Sequence, residues 1–226
     1  MIPIIVPARM SSRRLPGKPL LSVAGKPLLQ RVIENLKHVD LISEIVVATS
    51  VDERDNPLAS WCADNGYQCF RGPLDDVAER VIGAAKGNGA EAFVRVSGDS
   101  PLVDPELVSH AVRLYRAGEA DLVTNVQSRT FPKGCSVEVV RTVILEDHLR
   151  RFATRDDREH VTTALYRESS QIRIVSFTSG VAAGGIQLSI DTAEDLKRVE
   201  RILAMASNSA EPMTWRKAVE LYTLLG

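Results

Sequence analysis

The sequence of 226 residues contains no apolar run long enough to cross a membrane as a helix. Its apolar start, residues 2–6, is too short for the core of a secretory signal and is followed by charged residues. Only three cysteines occur, Cys62, Cys69 and Cys135, and their spacing is not that of metal ligands, so we expect reduced thiols in a cytoplasmic protein. The 28 basic and 29 acidic residues leave no broad positive excess, which argues against binding to nucleic acid or a membrane surface.

Several familiar catalytic motifs are also missing. Neither the glycine fingerprint of dinucleotide-binding folds nor the Walker loop occurs. No Gly-x-Ser-x-Gly elbow and no Cys–His pattern points to a covalent nucleophile. Many glycosyltransferases hold a metal with an Asp-x-Asp turn, but here Asp99 is followed by Ser100 and Pro101. The chemistry must therefore use another arrangement of residues.

What is present is an alternation of short apolar strands and amphipathic helices. The pattern predicts strands at residues 2–6, 44–49, 67–70, 92–97, 120–125, 172–177 and 187–190. It predicts helices at 26–39, 56–65, 75–86, from 105 onward, 142–152, 156–166, 192–205 and 212–224. This order indicates an α/β fold, a Rossmann-like three-layer αβα arrangement with a mainly parallel sheet. We predict one domain over 1–226, with a β-arm and helix insertion at 127–150 and a C-terminal helical extension at 208–226.

The most informative segment is the loop that follows the first strand. It carries four cations, Arg9, Arg13, Arg14 and Lys18, and Gly17 allows a tight backbone path beside the last of them. Ligands of open α/β sheets bind outside the carboxyl ends of the strands, so this loop is placed to bind an anion such as a nucleoside triphosphate. The alternative is an ordinary solvated loop.

Two acids follow predicted strands and could join this site. Asp99 comes after strand 92–97 and Asp191 after strand 187–190. Magnesium prefers one or two carboxylates together with phosphate oxygens and water, which this pair could supply. The alternatives are a turn-capping role for Asp99 and a helix N-cap role for Asp191. With the cationic loop, the acids favour nucleotidyl transfer, a reaction that needs positioning, charge neutralisation and a metal.

Seven sequence blocks, in order, resemble those of the sugar-activating cytidylyltransferases, notably the spore-coat polysaccharide type and the Kdo cytidylyltransferases. The blocks are PARMSSRRLPGKPL (7–20), EIVVATS (44–50), FRG (70–72), DDV (75–77), VSGDSPLVDP (96–105), DREHVT (157–162) and IDTAEDL (190–196). The resemblance implies a fold of the nucleotide-diphospho-sugar transferase type. It also implies a homodimer formed with the help of residues 131–140.

The resemblance implies three groups of site residues. The nucleotide-binding group comprises Pro7, Ala8, Arg9, Ser12, Arg14, Lys18 and Arg80. The metal group comprises Asp99 and Asp191, which together with Arg9 and Lys18 would be the catalytic residues. The sugar-facing group comprises Asn125, Glu138 and the cluster of Arg158, Glu159 and His160. For Arg158 and His160 the alternative is an ordinary charged helical turn.

We therefore expect an Mg²⁺-dependent enzyme that transfers CMP from CTP to a sugar, by preference a sugar acid, for cell-surface polysaccharide synthesis. Two departures leave the sugar open: Pro7 is like the Kdo enzymes, whereas Ser100 is nearer the cysteine of the spore-coat type. One alternative is a nucleotidyltransferase that uses another triphosphate or a sugar 1-phosphate. Another is a non-catalytic nucleotide-binding module of the same fold.

Overall fold

The computed structural model of the protein describes residues 2–12, 14–206 and 212–225 and is built on a seven-stranded sheet. The strands of that sheet are β1 (Ile4–Pro7), β4 (Ile45–Ser50), β5 (Gln68–Gly72), β6 (Ala92–Arg95), β7 (Leu122–Thr124), β8 (Glu138–Arg141) and β9 (Ile174–Ser176). A separate antiparallel pair consists of β2 (Ser22–Val23) and β3 (Lys26–Pro27). The sheet order is β5-β4-β1-β6-β8-β7-β9, and the pairs β5-β4, β4-β1, β1-β6 and β7-β9 are parallel.

Helices cover both faces of this sheet. They are α1 (Leu28–Leu36), α2 (Asn56–Asp64), α3 (Val77–Gly87), α4 (Pro105–Ala117), α5 (Thr142–Phe152), α6 (Arg155–His160), α7 (Thr163–Arg167), α8 (Ala193–Met205) and α9 (Trp215–Thr223). One apolar core contains residues of α1, α2, α4, α8 and α9, and the other contains residues of α3, α5 and α7. No helix in the ranges that the structure describes is long and apolar enough to cross a membrane.

The two cores follow from the alternation of side chains along each strand. In β1, Ile4 and Val6 belong to one core and Ile5 belongs to the other. In β6, Phe93 and Val94 divide in the same way. Strands that are buried on both faces read as continuous apolar runs, which is why they are recognisable in the sequence. The predicted three-layer αβα fold with a mainly parallel sheet is confirmed.

Most predicted elements occur with ends shifted by a few residues, and helix 142–152 has the predicted bounds. The single helix predicted over 156–166 is wrong, because α6 and α7 are separated at Val161. Val161 has φ 62 and ψ −64, and Thr162 N–H donates to His160 O at 2.7 Å. That is a γ-turn, a three-residue reversal that ends α6. Burial of the Val161 side chain in the core stabilises it.

The strand predicted at 187–190 is also wrong. This segment makes one isolated bridge, Gln187 with Lys133, in place of a ladder. Two backbone hydrogen bonds nevertheless hold it in place: Leu188 N–H donates to Lys133 O at 2.8 Å, and Ile190 N–H donates to Asp99 O at 2.9 Å. The second of these bonds brings residue 191 beside residue 99.

The antiparallel stretch expected within 131–140 exists, but it does not project as an arm. Residues 138–141 form β8, which lies inside the main sheet and is antiparallel to both β6 and β7. The segment before it is mostly buried in its own chain, including Phe131, Cys135 and Val137. The apolar alternation that suggested an arm is the alternation of a central strand.

The C-terminal helix is part of the apolar core. In α9, the Trp215 ring packs edge-on against Phe131 with ring centroids 5.2 Å apart. The backbone N–H of Trp215 donates to Asp104 Oδ2 at 2.9 Å. Ala218 and Leu221 are buried beside it. Residues 207–211 and 226, which include the polar spacer and part of the predicted extension at 208–226, lie outside the described residues. The division of the chain at 127–150 and 208–226 stays a prediction.

Candidate active site

The candidate site lies at the carboxyl ends of β1 and β6. From β1 the sheet extends through β4 in one direction and through β6 in the other, so the strand order reverses here. This is the place where open α/β sheets bind ligands. The two strand ends meet closely, since a Cβ atom on Gly98 would lie 2.9 Å from Pro7 O. Glycine at position 98 therefore lets Asp99 approach the cationic loop.

Hydrogen bonds within the chain hold the cationic loop in shape. Gly17 has φ 72, a conformation that favours glycine, and its N–H donates to Met10 O at 2.9 Å. Ser12 Oγ accepts from Leu15 N–H at 3.3 Å, which agrees with a loop-shaping role for Ser12. Arg13, one of the four predicted cations, lies outside the described residues.

Asp55 anchors this loop and was missed from the sequence. Its carboxylate is fully buried, and Oδ1 accepts from Met10 N–H at 2.7 Å. Oδ2 accepts from Ser50 N–H at 3.2 Å and from the Ser50 hydroxyl. Asp55 thus joins the end of β4 to the residue that follows Arg9. The sequence around it looks like an ordinary polar loop before a helix, so it offers no signal for this role.

Lys18 lies at the centre of the site. Its Nζ is 3.1 Å from Asp99 Oδ2, 3.2 Å from Asp191 Oδ1 and 2.9 Å from Ile190 O. Arg14 Nη2 lies 3.0 Å from the same oxygen of Asp191. The structure therefore brings together two predicted cations and both predicted acids, although Asp191 does not follow a strand.

The donors at this point fit a magnesium ion. One nitrogen contacts both Asp99 and Asp191, so both carboxylates are within reach of a single ion at that place. Among the described residues, no group of three or more His, Cys, Asp or Glu side chains could hold a metal. Two carboxylates alone suit magnesium, which takes its remaining ligands from phosphate and water. Asp191 does not cap α8, because Thr192 does so with Asp195.

Arg9 and Arg80 form a second cationic group, on the side of the loop that faces α3. Both Nη1 atoms donate to Leu74 O, at 3.3 and 3.2 Å, and Arg80 Nη1 also donates to Pro73 O at 2.6 Å. Burial lowers the pKa of Arg80, and the neighbouring charge of Arg9 lowers it further. Arg9 Nη2 pairs with the Glu159 carboxylate on α6. Arg80 Nε is buried and lacks a hydrogen-bond partner.

Pro7 and Ala8, two members of the predicted nucleotide-binding group, lie at the end of β1. Pro7 has no N–H, and Ala8 N–H donates to Ala48 O at 3.1 Å. Only carbonyl oxygens of this pair remain for a base to contact. A cytosine amino group is a donor that such oxygens can accept from.

The sugar-facing group is not gathered into one cluster. Arg158 on α6 pairs with Asp76, the residue that caps α3. His160 is exposed, with Nε2 3.4 Å from Asp156 Oδ1, an arrangement typical of a charged helical turn. Asn125 is buried and bonds to the backbone, donating to Cys135 O at 2.8 Å. The roles predicted for these residues stay predictions.

Glu138, another member of that group, belongs to a buried polar network at the start of β8. Its carboxylate accepts from Arg95 Nη1 and from the Tyr166 hydroxyl. Tyr166 also bonds to Thr124 Oγ1 at 2.7 Å. Burial and the adjacent Glu138 charge raise the pKa of Tyr166, so the phenol stays protonated at neutral pH. Because β8 is antiparallel, its first residue lies at the same edge of the sheet as the last residues of β6 and β7.

By fold, the chain is an α/β protein of the nucleotide-diphospho-sugar transferase type. A cytidylyltransferase from Leptospira borgpetersenii superposes with a TM-score of 0.91 at 26% identity, covering 99% of this chain and 94% of that one. A CMP:2-keto-3-deoxy-manno-octonic acid synthetase complexed with CTP has the same fold, with a TM-score of 0.69 at 20% identity over 91% of this chain.

The sequence comparisons identify the family. The sequence model for cytidylyltransferases matches residues 3–217. The spore coat polysaccharide biosynthesis protein SpsF of Bacillus subtilis is 30% identical over 98% of this chain and 92% of its own length. The 3-deoxy-manno-octulosonate cytidylyltransferase of Geobacter sulfurreducens is 33% identical, over 63% of this chain and 57% of its own. The chain belongs to the cytidylyltransferase family, which implies nucleotidyltransferase activity.

Proposed function

We propose that this protein is an Mg²⁺-dependent enzyme that transfers CMP from CTP to a hydroxyl of a sugar acid. The observation that carries the proposal is the contact of Lys18 Nζ with both Asp99 and Asp191 at the carboxyl end of the sheet. A site that must neutralise a triphosphate and hold its metal needs cations and paired acids together. The family membership of the chain supports the reaction class.

The reaction itself requires no covalent enzyme intermediate. An acceptor hydroxyl oxygen attacks the α-phosphorus of CTP and loses its proton to water, and the bond from that phosphorus to the bridging oxygen breaks to release pyrophosphate. Arg9, Arg14 and Lys18 neutralise the phosphates, and Lys18 stabilises the departing charge. Asp99 and Asp191 would hold the magnesium ion, which supplies further neutralisation of charge when bound.

The choice of a sugar acid draws on the relatives. Two kinds of relative align with the chain, a spore coat polysaccharide biosynthesis protein and several 3-deoxy-manno-octulosonate cytidylyltransferases. The second kind acts on a sugar acid by its name. The network of Glu138, Arg95 and Tyr166 at the same sheet edge offers charged and neutral hydrogen-bonding groups for an acceptor.

A direct assay tests the proposal. The purified protein is incubated with Mg²⁺, one of CTP, UTP, GTP or ATP, and a panel of sugar acids and sugar 1-phosphates, and pyrophosphate release is measured. We expect release with CTP and a sugar acid, and none when Mg²⁺ is chelated. Turnover with another base or with a sugar 1-phosphate would replace this proposal with the corresponding nucleotidyltransferase. Absence of nucleotide binding would support a non-catalytic member of the fold.

A further inference from the structure

We propose that Glu159 is a displaceable counter-ion of Arg9, which neutralises the charge of this guanidinium until a polyphosphate takes its place. The inference rests on the proposed function, because it requires a triphosphate at the Arg9 loop. Glu159 would act through Arg9 and is therefore a positioning residue.

The acids of the site are distributed unevenly over the loop cations. Lys18 and Arg14 pair with Asp99 and Asp191, the two candidate magnesium ligands. Those acids keep a positive partner when a metal and a triphosphate bind together. Glu159 is different, because it pairs with Arg9 and does not belong to the metal group. A triphosphate bound at Arg9 would bring negative charge next to the Glu159 carboxylate, and these like charges would repel each other.

The guanidinium groups of Arg9 and Arg80 need a counter-ion when no nucleotide is bound. Arg9 and Arg80 both donate to Leu74 O, so two guanidinium groups converge on one carbonyl oxygen. Arg80 is fully enclosed and bonds to Pro73 O as well, so its position is fixed. Glu159 offsets the repulsion between these two guanidinium groups when no nucleotide is bound. A polyphosphate would neutralise the two arginines in the same way as the carboxylate.

The ion pair of Arg9 and Glu159 can separate without a change in the backbone. The side chains of Arg9 and Glu159 are 30% and 39% exposed, and ion pairs at such exposure contribute little to stability. The backbone that carries Glu159 is firmly held, because Asp157 accepts two hydrogen bonds from Arg167 and forms a capping box with Thr154. The exchange therefore requires movement of one side chain and leaves α6 in place.

The experiment compares Glu159→Gln with a matched control, Glu146→Gln. Glu146 is 40% exposed and pairs with Lys86, and it borders a cavity that also includes Glu91 and Arg141 at the opposite edge of the sheet. Calorimetry would measure the dissociation constants of CTP with Mg²⁺ and of inorganic tripolyphosphate. We expect Glu159→Gln to bind both probes about two- to five-fold more tightly, and Glu146→Gln to bind as the wild type does.

A double-mutant cycle assigns the effect to Arg9. In an Arg9→Ala background, Glu159→Gln should no longer change the affinity for tripolyphosphate, because the competition has been removed. The gain seen in the single variant should also shrink as salt is raised. A purely structural role for Glu159 predicts the opposite sign, since damage to the site would weaken binding. Glu159→Ala, measured in parallel, should show the same tightening.

Three results would overturn the inference. One is unchanged or weaker binding in both Glu159 variants while the wild type binds CTP and releases pyrophosphate, which leaves the proposed function intact. Another is tightening that persists in the Arg9→Ala background. The third is a wild-type protein that binds neither CTP nor tripolyphosphate, which overturns the proposed function as well.

Discussion

Asp55 and Asp157 are both fully buried carboxylates, yet they are stabilised by different kinds of partner. Asp55 accepts hydrogen bonds from neutral donors, the Met10 N–H and the N–H and hydroxyl of Ser50. Asp157 accepts two bonds from the guanidinium of Arg167. A buried acid without such partners would be strongly destabilising. One carboxylate therefore shapes the nucleotide loop, and the other joins α6 to α7.

Asp55→Asn should impair the nucleotide site more than the fold. The amide oxygen can take the place of one carboxylate oxygen, but the NH₂ group that replaces the other cannot accept, so Met10 N–H or Ser50 N–H loses its partner. We expect a loss of about 1–3 kcal/mol in unfolding free energy, from denaturant titration. We also expect a raised KM for CTP with a smaller effect on the KM of the acceptor. Asp64→Asn, at an exposed position on α2, is the control and should change neither quantity.

Asp99→Asn tests the metal assignment, since it keeps the size of the side chain and removes its charge. We expect kcat to fall about a hundred-fold or more, with CTP binding only partly weakened, because the loop cations remain. Stopped assays of pyrophosphate release, together with calorimetric binding of CTP, separate the two effects. Unchanged turnover would show that Asp99 is not a metal ligand.

At the scale of elements, the α6–α7 elbow, residues 154–167, is held by a capping box, a tight turn and an ion pair. The capping box of Thr154 and Asp157 begins α6, the γ-turn at Val161 ends it, and Arg167 on α7 bonds back to Asp157. Two ion pairs then attach α6 to its surroundings, Glu159 with Arg9 and Arg158 with Asp76. The elbow is thus held by its own hydrogen bonds. One side-chain ion pair attaches it to the cationic loop, and the other attaches it to the start of α3.

The elbow should make stability depend on pH in the acidic range. The hydrogen bonds from Arg167 hold the pKa of Asp157 well below its ordinary value of 3.8. Because the folded pKa is the lower one, the stabilisation is fully present above the ordinary value and is lost as pH falls below it. Urea unfolding between pH 6 and the acid limit of folding measures this. The wild type should lose stability more steeply than Asp157→Asn, which we expect to be less stable at neutral pH. Equal slopes would contradict the assignment.

At the scale of the whole molecule, the sheet brings distant parts of the chain to one edge. β1, β6 and the segment before α8 supply the loop cations and the two acids, while β7 and β8 bring the network around Glu138 to the same edge. Assembly as a homodimer stays a prediction. The segment expected to help form the dimer contact is mostly buried within its own chain, and Lys133 is exposed within it. Light scattering coupled to size exclusion tests it.

Ligand binding at this edge should stabilise the whole fold. A ligand at about 100 times its dissociation constant adds ~2.7 kcal/mol, which corresponds to roughly 5–10 °C in Tm for a chain of this size. We expect such a shift with CTP, a larger one with Mg²⁺ present, and little with UTP, GTP or ATP. The Asp99→Asn variant serves as the control and should lose the contribution of Mg²⁺ but keep part of the shift. Equal shifts with all four nucleotides would contradict selection for cytosine.

The strands and helices that are buried on one or two faces could be predicted from the sequence, because their apolar residues recur at the spacing of a strand or a helix. So could the meeting of Lys18 with Asp99, since both follow strands that end at one edge. The features that were predicted wrongly or missed depend on tertiary contacts. The break at Val161 requires a valine in a conformation that L-residues avoid, and burial decides it. Residues 187–190 have strand-like composition but find only one bridging partner, and Asp55 gains its role from Met10, 45 positions away.

The contact between Lys18 and Asp191 joins residues 173 positions apart, and that separation has a consequence during synthesis. A ribosome makes the cationic loop first, then Asp99, and adds Asp191 much later. Until residue 191 has left the exit tunnel, the nascent chain carries the loop cations with only part of their acidic complement. In the proposed function, a metal held by both carboxylates could bind only after that point, so a nascent chain that stops short of residue 191 would lack the complete site.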